Sequence, residues 1–208
     1  MEFRRLQLKP GPHRDPRRVA LVPGSYNPPT NAHRALLEAA LSQVDEAVAL
    51  LPRTFPHKSY EGGVSLEDRI RMLEQMSPEP YSIAISEGGL FIEMAEEFQV
   101  EAGPAEVFLA CGRDAAERIL SWDYSGAHAL DRMFERFQLL VASRQGEFTP
   151  PELFRDRIHP LELAPEHDAL SSTAVRERIE AGVEWRHLVP DLVAPLMEKL
   201  YFPWINQG

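Results

Sequence analysis

Hydrophobic residues occur along the chain in short runs that alternate with segments of helical periodicity. Six of the runs are apolar and β-branched, which is typical of strands buried on both faces of a sheet. They lie near residues 18–23, 44–52, 81–86, 105–112, 137–144 and 157–165. Pro160 interrupts the last run and disfavours a strand there, because proline cannot donate to a sheet ladder.

Between these runs, apolar residues recur with the period of an α-helix. The predicted helices cover residues 33–44, 65–76, 89–99 and 113–122, and then 172–182 and 188–202 in the C-terminal third. Ser65 and Asp68 are spaced as in an N-terminal capping box. The alternation predicts an α/β fold: a single Rossmann-like, doubly wound domain with a mostly parallel sheet and a helical C-terminal part. We assign residues 18–208 to this domain and residues 1–17 to a basic N-terminal arm.

Length and composition fit one globular domain. The chain has 208 residues, of which 44% are hydrophobic, enough for a sizeable core. No apolar run reaches the roughly 18 residues of a membrane span, and the N-terminus lacks the apolar centre of a secretory signal. Cys111 is the single cysteine, which fits a reducing compartment. We therefore expect a cytoplasmic protein without a membrane partner.

The charge balance narrows the class of ligand. Lysine and arginine number 22 against 32 aspartate and glutamate residues, a net charge of −10. Such a chain gains nothing from non-specific attraction to nucleic acid, so we expect no nucleic-acid partner. To bind an anionic small molecule, it must concentrate its basic groups locally. The basic stretch before residue 18 is interpreted as a solvated arm.

The first candidate site is the strand-to-helix turn "PGSYNPPTNAH". Gly24 allows a close backbone approach, and Thr30 or Asn31 can cap the helix that follows. The amino end of a helix attracts anions, and His33 lies one turn after Thr30. These features suggest a phosphate site with a histidine donor. Spacing alone leaves open that His33 is an ordinary surface or core residue.

The second candidate is "ALSSTAVRERI", a run of hydroxyl residues at a predicted helix start. Ser171 or Ser172 would cap this helix. Arg176 lies four residues after Ser172, and its guanidinium suits bidentate contact with phosphate. The alternative interpretation is a capped helix with a solvated charged face.

Together, "GSYNPPTNAH" and "SSTAVR" resemble the paired motifs, (His/Thr)-x-x-His and Ser-x-Thr-x-x-Arg, of a nucleotidyltransferase superfamily. Within it the chain resembles the nicotinate/nicotinamide mononucleotide adenylyltransferases. "PRTFPHK" with "EDRIRML", "CGRDAAERILSW" and "HLVPDLVAPLMEKLYF" extend the similarity from about residue 18 to 202.

The resemblance implies transfer of an adenylyl group from ATP to a pyridine mononucleotide, with pyrophosphate released. It implies that Thr30 and His33 hold the ATP phosphates, Arg176 the leaving pyrophosphate and Lys58 the incoming phosphate. The further ATP-binding residues that it implies are Gly24, Ser25, Tyr26, Gly112, Asp114, Ser172 and Thr173. The further mononucleotide-binding residues are Asn27 and Trp122. Mg²⁺ is expected, bound mainly through substrate phosphates, and a homo-oligomer is possible.

Several alternatives stay open at this point. Asp114 can be a helix cap, Trp122 a core aromatic, and Arg113 a phosphate contact or an obstacle in the ATP site. Asp123 bears on the choice between nicotinate and nicotinamide, and we favour nicotinate because polar loop residues usually face solvent. The competing functions are phosphopantetheine adenylyltransferase, an inactive nucleotide-binding module and a flavodoxin-like domain with accidental caps.

Overall fold

A computed structural model of the chain describes residues 1–5, 17–54, 64–76, 81–121, 129–143, 148–167 and 170–205. Seven strands form one sheet within these ranges. They are β1 (Glu2–Arg5), β2 (Arg18–Pro23), β3 (Glu46–Pro52), β4 (Ser82–Ser86), β5 (Glu106–Gly112), β6 (Gln138–Ala142) and β7 (Ile158–Leu161). All six predicted strands are present, including β7, where Pro160 is accommodated because the strand lies at the sheet edge.

The sheet has the strand order β1-β4-β3-β2-β5-β6-β7. Every neighbouring pair is parallel except β1 with β4. β2 is central: the chain first winds to one side through β3 and β4, and then returns to build β5, β6 and β7 on the other side. This reversal next to the first parallel strand is the topological switch of a doubly wound sheet, where ligands bind at the carboxyl ends of the strands. The predicted fold class is confirmed.

The described ranges contain seven α-helices, of which the first five lie between strands and the last two follow β7. They are α1 (Asn31–Gln43), α2 (Leu66–Met76), α3 (Phe91–Ala102), α4 (Arg113–Ser121), α5 (Ala129–Arg136), α6 (Ser172–Glu180) and α7 (Ala194–Ile205). None of the helices in the described part of the chain is long and apolar enough to cross a membrane.

Helices cover both faces of the sheet, and the two faces have separate hydrophobic cores. Alternate residues of β2 show the division: Ala20 and Val22 face one core, and Val19 and Leu21 face the other. Buried side chains of α1, α2, α6 and α7 belong to the first core, whereas those of α3, α4 and α5 belong to the second. The two predicted motifs therefore lie on helices that share one face of the sheet.

Three details differ from the sequence prediction. The solvated arm is wrong for its first residues, because Glu2–Arg5 pair antiparallel with β4 and Phe3 packs on the second core. Helix α5 was not predicted. The last helix was predicted to begin at residue 188. Instead, a 3₁₀ helix spans Arg186–Leu188 with Val189 as its C-cap, and α7 begins only at Ala194. Val189 is extended because the proline that follows disfavours helical backbone there.

Candidate active site

The candidate site lies where β2 ends and α1 begins, at the carboxyl edge of the sheet. The loop between them enters through Gly24, whose N–H donates to the carbonyl of Leu50 on β3 (3.0 Å). A Cβ atom at Gly24 would lie 3.0 Å from the Tyr26 ring. The glycine predicted to contact ATP therefore makes room for a neighbouring side chain, and its N–H is already used within the protein.

Thr30 caps α1 and holds His33. The Thr30 N–H donates to His33 Nδ1 (3.0 Å), and the Thr30 hydroxyl lies 2.8 Å from the same nitrogen. In return, the His33 N–H donates to Thr30 Oγ1 (3.4 Å). Because Nδ1 accepts from a backbone N–H, it carries a lone pair, and this hydrogen-bond pattern assigns the ring proton of neutral His33 to Nε2. The capping box thus directs an N–H donor away from the helix cap.

Tyr26 packs against the ring of this histidine. Its side chain is fully buried, its hydroxyl donates to the carbonyl of Val22 (2.6 Å), and its ring lies beside the His33 ring with centroids 4.9 Å apart. Burial strongly raises the pKa of the Tyr26 hydroxyl. Tyr26 has a positive φ of 47°, and the peptide bond between Asn27 and Pro28 is cis. Its burial and its contact with His33 give the Tyr26 side chain a packing role, and the ATP contact of this residue stays a prediction.

Helix α6 approaches the same loop from the far end of the sequence. Ser171 is its N-cap and accepts from the Ala174 N–H (3.1 Å). Ser172 donates its hydroxyl to the carbonyl of Pro28 (2.7 Å). Arg176 donates Nη1 to the carbonyl of Asn27 (2.6 Å) and Nη2 to the hydroxyl of Thr173 (3.3 Å). The two sequence motifs, almost 150 residues apart, are therefore in direct contact.

Two further residues at this loop were not identified from the sequence. Arg69 of α2 is 5% exposed, and its Nη1 donates to the carbonyl of Ser25 (3.2 Å). Tyr201 of α7 is 8% exposed, and its hydroxyl lies 2.5 Å from Asn27 Oδ1. Arg69 stands on the apolar stripe of its helix together with Leu73, and a charged residue at such a position is the signal that would have identified it.

The contacts around the loop have a common electrostatic consequence. The carbonyl oxygens of Ser25, Asn27 and Pro28 accept from Arg69, Arg176 and Ser172. These donors offset the partial negative charges of the carbonyl oxygens, which would repel an anion, and two cations lie beside the loop that leads into α1. An acidic chain has here concentrated positive charge near one helix start, an arrangement that suits phosphate groups.

Asn27 was predicted to contact the mononucleotide. It is 8% exposed, and its side chain is turned inward to Tyr201. The side chain supports the loop from within, and the mononucleotide contact of this residue stays a prediction.

The carboxyl end of β5 lies beside β2, at the same edge of the sheet. Gly112 is partly exposed and Asp114, in the first turn of α4, is exposed. Arg113 lies between them, and its Nε pairs with Glu117 along the helix (2.7 Å). Cys111 is buried, which raises the pKa of its thiol to about 12 and leaves it an unreactive core residue.

Comparison with known proteins agrees with this geometry. Residues 21–178, which span both motifs, match the cytidylyltransferase-like family. The chain belongs to this family.

Two curated relatives are similar over most of their length. A protein of Methylibium petroleiphilum named probable nicotinate-nucleotide adenylyltransferase is 27% identical, over 88% of this chain and 89% of the relative. A protein of Anaeromyxobacter dehalogenans with the same name is 28% identical, over 88% of this chain and 94% of the relative.

A solved structure has the same fold. The nicotinic acid mononucleotide adenylyltransferase of Plasmodium falciparum, complexed with APC, superposes with a TM-score of 0.68 at 13% identity. The alignment covers 92% of this chain and 98% of that chain.

Three predicted residues of this cytidylyltransferase-like chain, Lys58, Trp122 and Asp123, lie outside the described residues. Ser25 is partly exposed in the loop and Thr173 is exposed on α6. In the described part of the chain, no three carboxylate, histidine or cysteine groups cluster as a metal site. The donors that meet at the loop are cations and hydroxyls, which suit phosphate oxygens rather than a bare metal ion.

Proposed function

We propose that this chain transfers the adenylyl group of ATP to nicotinate mononucleotide, a step of NAD biosynthesis. The observation that carries the proposal is the contact between the two motifs: the amino ends of α1 and α6 meet at one loop, with His33 and Arg176 beside it. The names of the curated relatives support the same reaction over nearly the whole chain.

The reaction requires no nucleophile from the protein. A phosphate oxygen of the mononucleotide attacks the α-phosphorus of ATP and forms a new phosphorus–oxygen bond, while the bond from the α-phosphorus to the pyrophosphate oxygen breaks. The electron pair leaves with pyrophosphate. The protein then contributes by aligning two polyanions and by stabilising the charge on the phosphates.

The site residues suit this task. His33, through the Nε2 proton that Thr30 imposes, donates to a phosphate oxygen at the amino end of α1. Arg176 binds the leaving pyrophosphate, and Ser172 and Thr173 add hydroxyl groups beside it. Lys58 is assigned to the incoming phosphate. When bound through the phosphates of ATP, Mg²⁺ would neutralise part of their charge.

For the remaining residues the proposal keeps the predicted contacts. Ser25 contacts ATP, Gly112 and Asp114 contact the adenosine ribose, and Trp122 stacks on the pyridine ring. A cytoplasmic location is supported by Cys111, a buried free thiol.

Nicotinate mononucleotide is favoured over other acceptors by the names of the relatives. Phosphopantetheine is the alternative acceptor, because its adenylyltransferase shares both motifs. An inactive nucleotide-binding module is the alternative from another class, because it would keep the loop and bind ATP without transfer.

Pyrophosphate release from ATP tests the proposal. The purified chain is incubated with Mg²⁺ and with nicotinate mononucleotide, nicotinamide mononucleotide or phosphopantetheine, with a reaction without acceptor as the blank. We expect the highest kcat/KM with nicotinate mononucleotide. Release with phosphopantetheine alone, or ATP binding without release for any acceptor, would replace the proposal with the corresponding alternative.

A further inference from the structure

The C-terminal helix α7 contacts the phosphate-binding loop through the hydroxyl group of Tyr201. Tyr201, on α7, lies 174 residues from Asn27 in sequence, and its hydroxyl is 2.5 Å from Asn27 Oδ1. Each side chain is 8% exposed, so the hydrogen bond is shielded from water. Breaking it would leave a buried amide oxygen without this partner, a situation that costs more than a net hydrogen bond contributes.

The same asparagine carries the main contact of Arg176. The Asn27 carbonyl accepts from Arg176 Nη1 at 2.6 Å, while its side chain is held by Tyr201. Tyr201 and Arg176 therefore both bind Asn27, one at its side chain and the other at its backbone carbonyl. The Tyr201 hydroxyl also lies close to two cations: burial raises its pKa, and the positive charges of Arg176 and Arg69 oppose that rise.

Asn27 follows Tyr26, whose φ of 47° lies in the left-handed region. Such a backbone geometry persists only where surrounding contacts hold it, and the hydrogen bond from α7 to Asn27 is one such contact at the neighbouring residue. A change in the orientation of Asn27 would move the carbonyl that positions the guanidinium of Arg176.

We propose that Tyr201 is a positioning residue for the phosphate site: its hydroxyl fixes Asn27, and Asn27 in turn fixes Arg176. The inference rests on the proposed function, since it assigns Tyr201 to the alignment of the ATP phosphates. It gives α7 a role in the reaction through the loop that Tyr201 contacts.

Tyr201→Phe removes the hydroxyl and keeps the ring. Tyr81→Phe is the matched control, because Tyr81 is also buried and donates its hydroxyl to a backbone carbonyl, that of Leu73 (3.0 Å). We expect similar losses of Tm in the two variants. We expect kcat/KM of Tyr201→Phe to fall about tenfold below that of Tyr81→Phe, as misplaced binding groups lower rate steeply. Equal kcat/KM in the two variants would overturn the proposal.

A double-mutant cycle tests whether Tyr201 acts through Asn27. We expect Asn27→Ala to lower kcat/KM and the double variant with Tyr201→Phe to lower it no further. Independent, multiplying losses would show that Tyr201 acts by another route and would refute the positioning role. If Tyr201→Phe does not fold, kcat/KM of Asn27→Ala is compared with that of Tyr81→Phe instead, because Asn27→Ala breaks the same hydrogen bond between Tyr201 and Asn27.

Binding of a non-hydrolysable ATP analogue separates this inference from the proposed function. A wild-type chain that binds the analogue but releases no pyrophosphate would refute the function alone. In that case, if Tyr201 is a positioning residue, the analogue should still bind about fivefold more weakly to Tyr201→Phe than to Tyr81→Phe. Equal affinity for the analogue in that case would refute the inference as well.

Discussion

At the scale of single residues, His33 has two separable tasks. Its Nδ1 completes the cap of α1, whereas the opposite nitrogen carries the proton assigned to a phosphate oxygen. We expect His33→Ala to remove both the cap and the donor. It should lower kcat about 100-fold and lower the free energy of unfolding by about 1 kcal/mol. His33→Asn places an acceptor near the position of Nδ1 without the distal donor. It should therefore keep most of the stability and lose the activity, as measured by pyrophosphate release and chemical denaturation. A fully active His33→Asn enzyme would contradict the donor role.

We expect even a conservative replacement of Arg176 to lower activity. Its guanidinium bonds the Asn27 carbonyl and the Thr173 hydroxyl with two different nitrogens. A lysine ammonium has one charged centre and cannot span both partners and a phosphate. We predict that Arg176→Lys lowers kcat/KM about tenfold or more, whereas Arg178→Lys changes it little. Arg178 is the matched control because it is exposed on the same helix and donates to the carbonyl of Glu184 (3.0 Å). Equal activity of the two variants would favour the solvated-face interpretation of Arg176.

The sequence predicted part of this site, for a physical reason. Thr30 and His33 stand at the start of α1, and Arg176 lies one turn into α6, within two motifs whose spacing is visible in the sequence. Arg69 and Tyr201 belong to neither motif, and only tertiary packing brings them to the loop. Tyr26 and Asn27 were predicted as substrate contacts from the resemblance, and the burial of their side chains cannot be inferred from a loop sequence.

At the scale of elements, α6 distributes its tasks over two adjacent serines. The sequence left open which of them caps the helix, and the structure assigns the cap to Ser171 and the loop contact to Ser172. We predict that Ser171→Ala lowers the free energy of unfolding by about 1 kcal/mol and changes kcat/KM less than Ser172→Ala does. Ser172→Ala should mainly lower kcat/KM, because the carbonyl of Pro28 loses its donor. Denaturant unfolding and pyrophosphate release measure the two effects, and the reverse ranking would reverse our assignment.

The sequence predicted those strands whose residues are all buried. β3 and β4 are buried throughout, and such strands are visible as apolar runs. β1 was missed because its four residues, Glu2–Arg5, include three charged ones and pair only at the sheet edge. α5 was missed because it spans only eight residues, Ala129–Arg136, with two buried side chains. β1 depends on the sheet beside it rather than on its own pattern.

At the scale of the whole molecule, the two edges of the sheet have different tasks. The phosphate loop lies at the carboxyl edge. At the amino edge, polar side chains form a row across neighbouring strands. His159 Nε2 meets Gln138 Oε1 (2.6 Å), Gln138 donates to Glu106 (2.7 Å), and Glu106 pairs with Arg18 (3.2 Å). This row joins β7, β6, β5 and β2 far from the proposed chemistry, so it should affect stability alone.

The row at the amino edge makes stability depend on pH through His159. Burial, and then the positive charge of Arg18, lower the pKa of His159, while Glu106 and Asp156 oppose the shift. Above the unfolded value of about 6.5 the histidine is neutral in both states. As pH falls below that value, the unfolded chain takes up the proton first, so the folded state loses stability until the pH passes the lower folded pKa. We predict that the difference in free energy of unfolding between wild type and His159→Gln shrinks from pH 7.5 to 5.5. We also predict that kcat/KM stays equal in the two proteins. Chemical denaturation at both pH values measures the first quantity, and a difference that is constant or grows toward pH 5.5 would contradict the assigned direction.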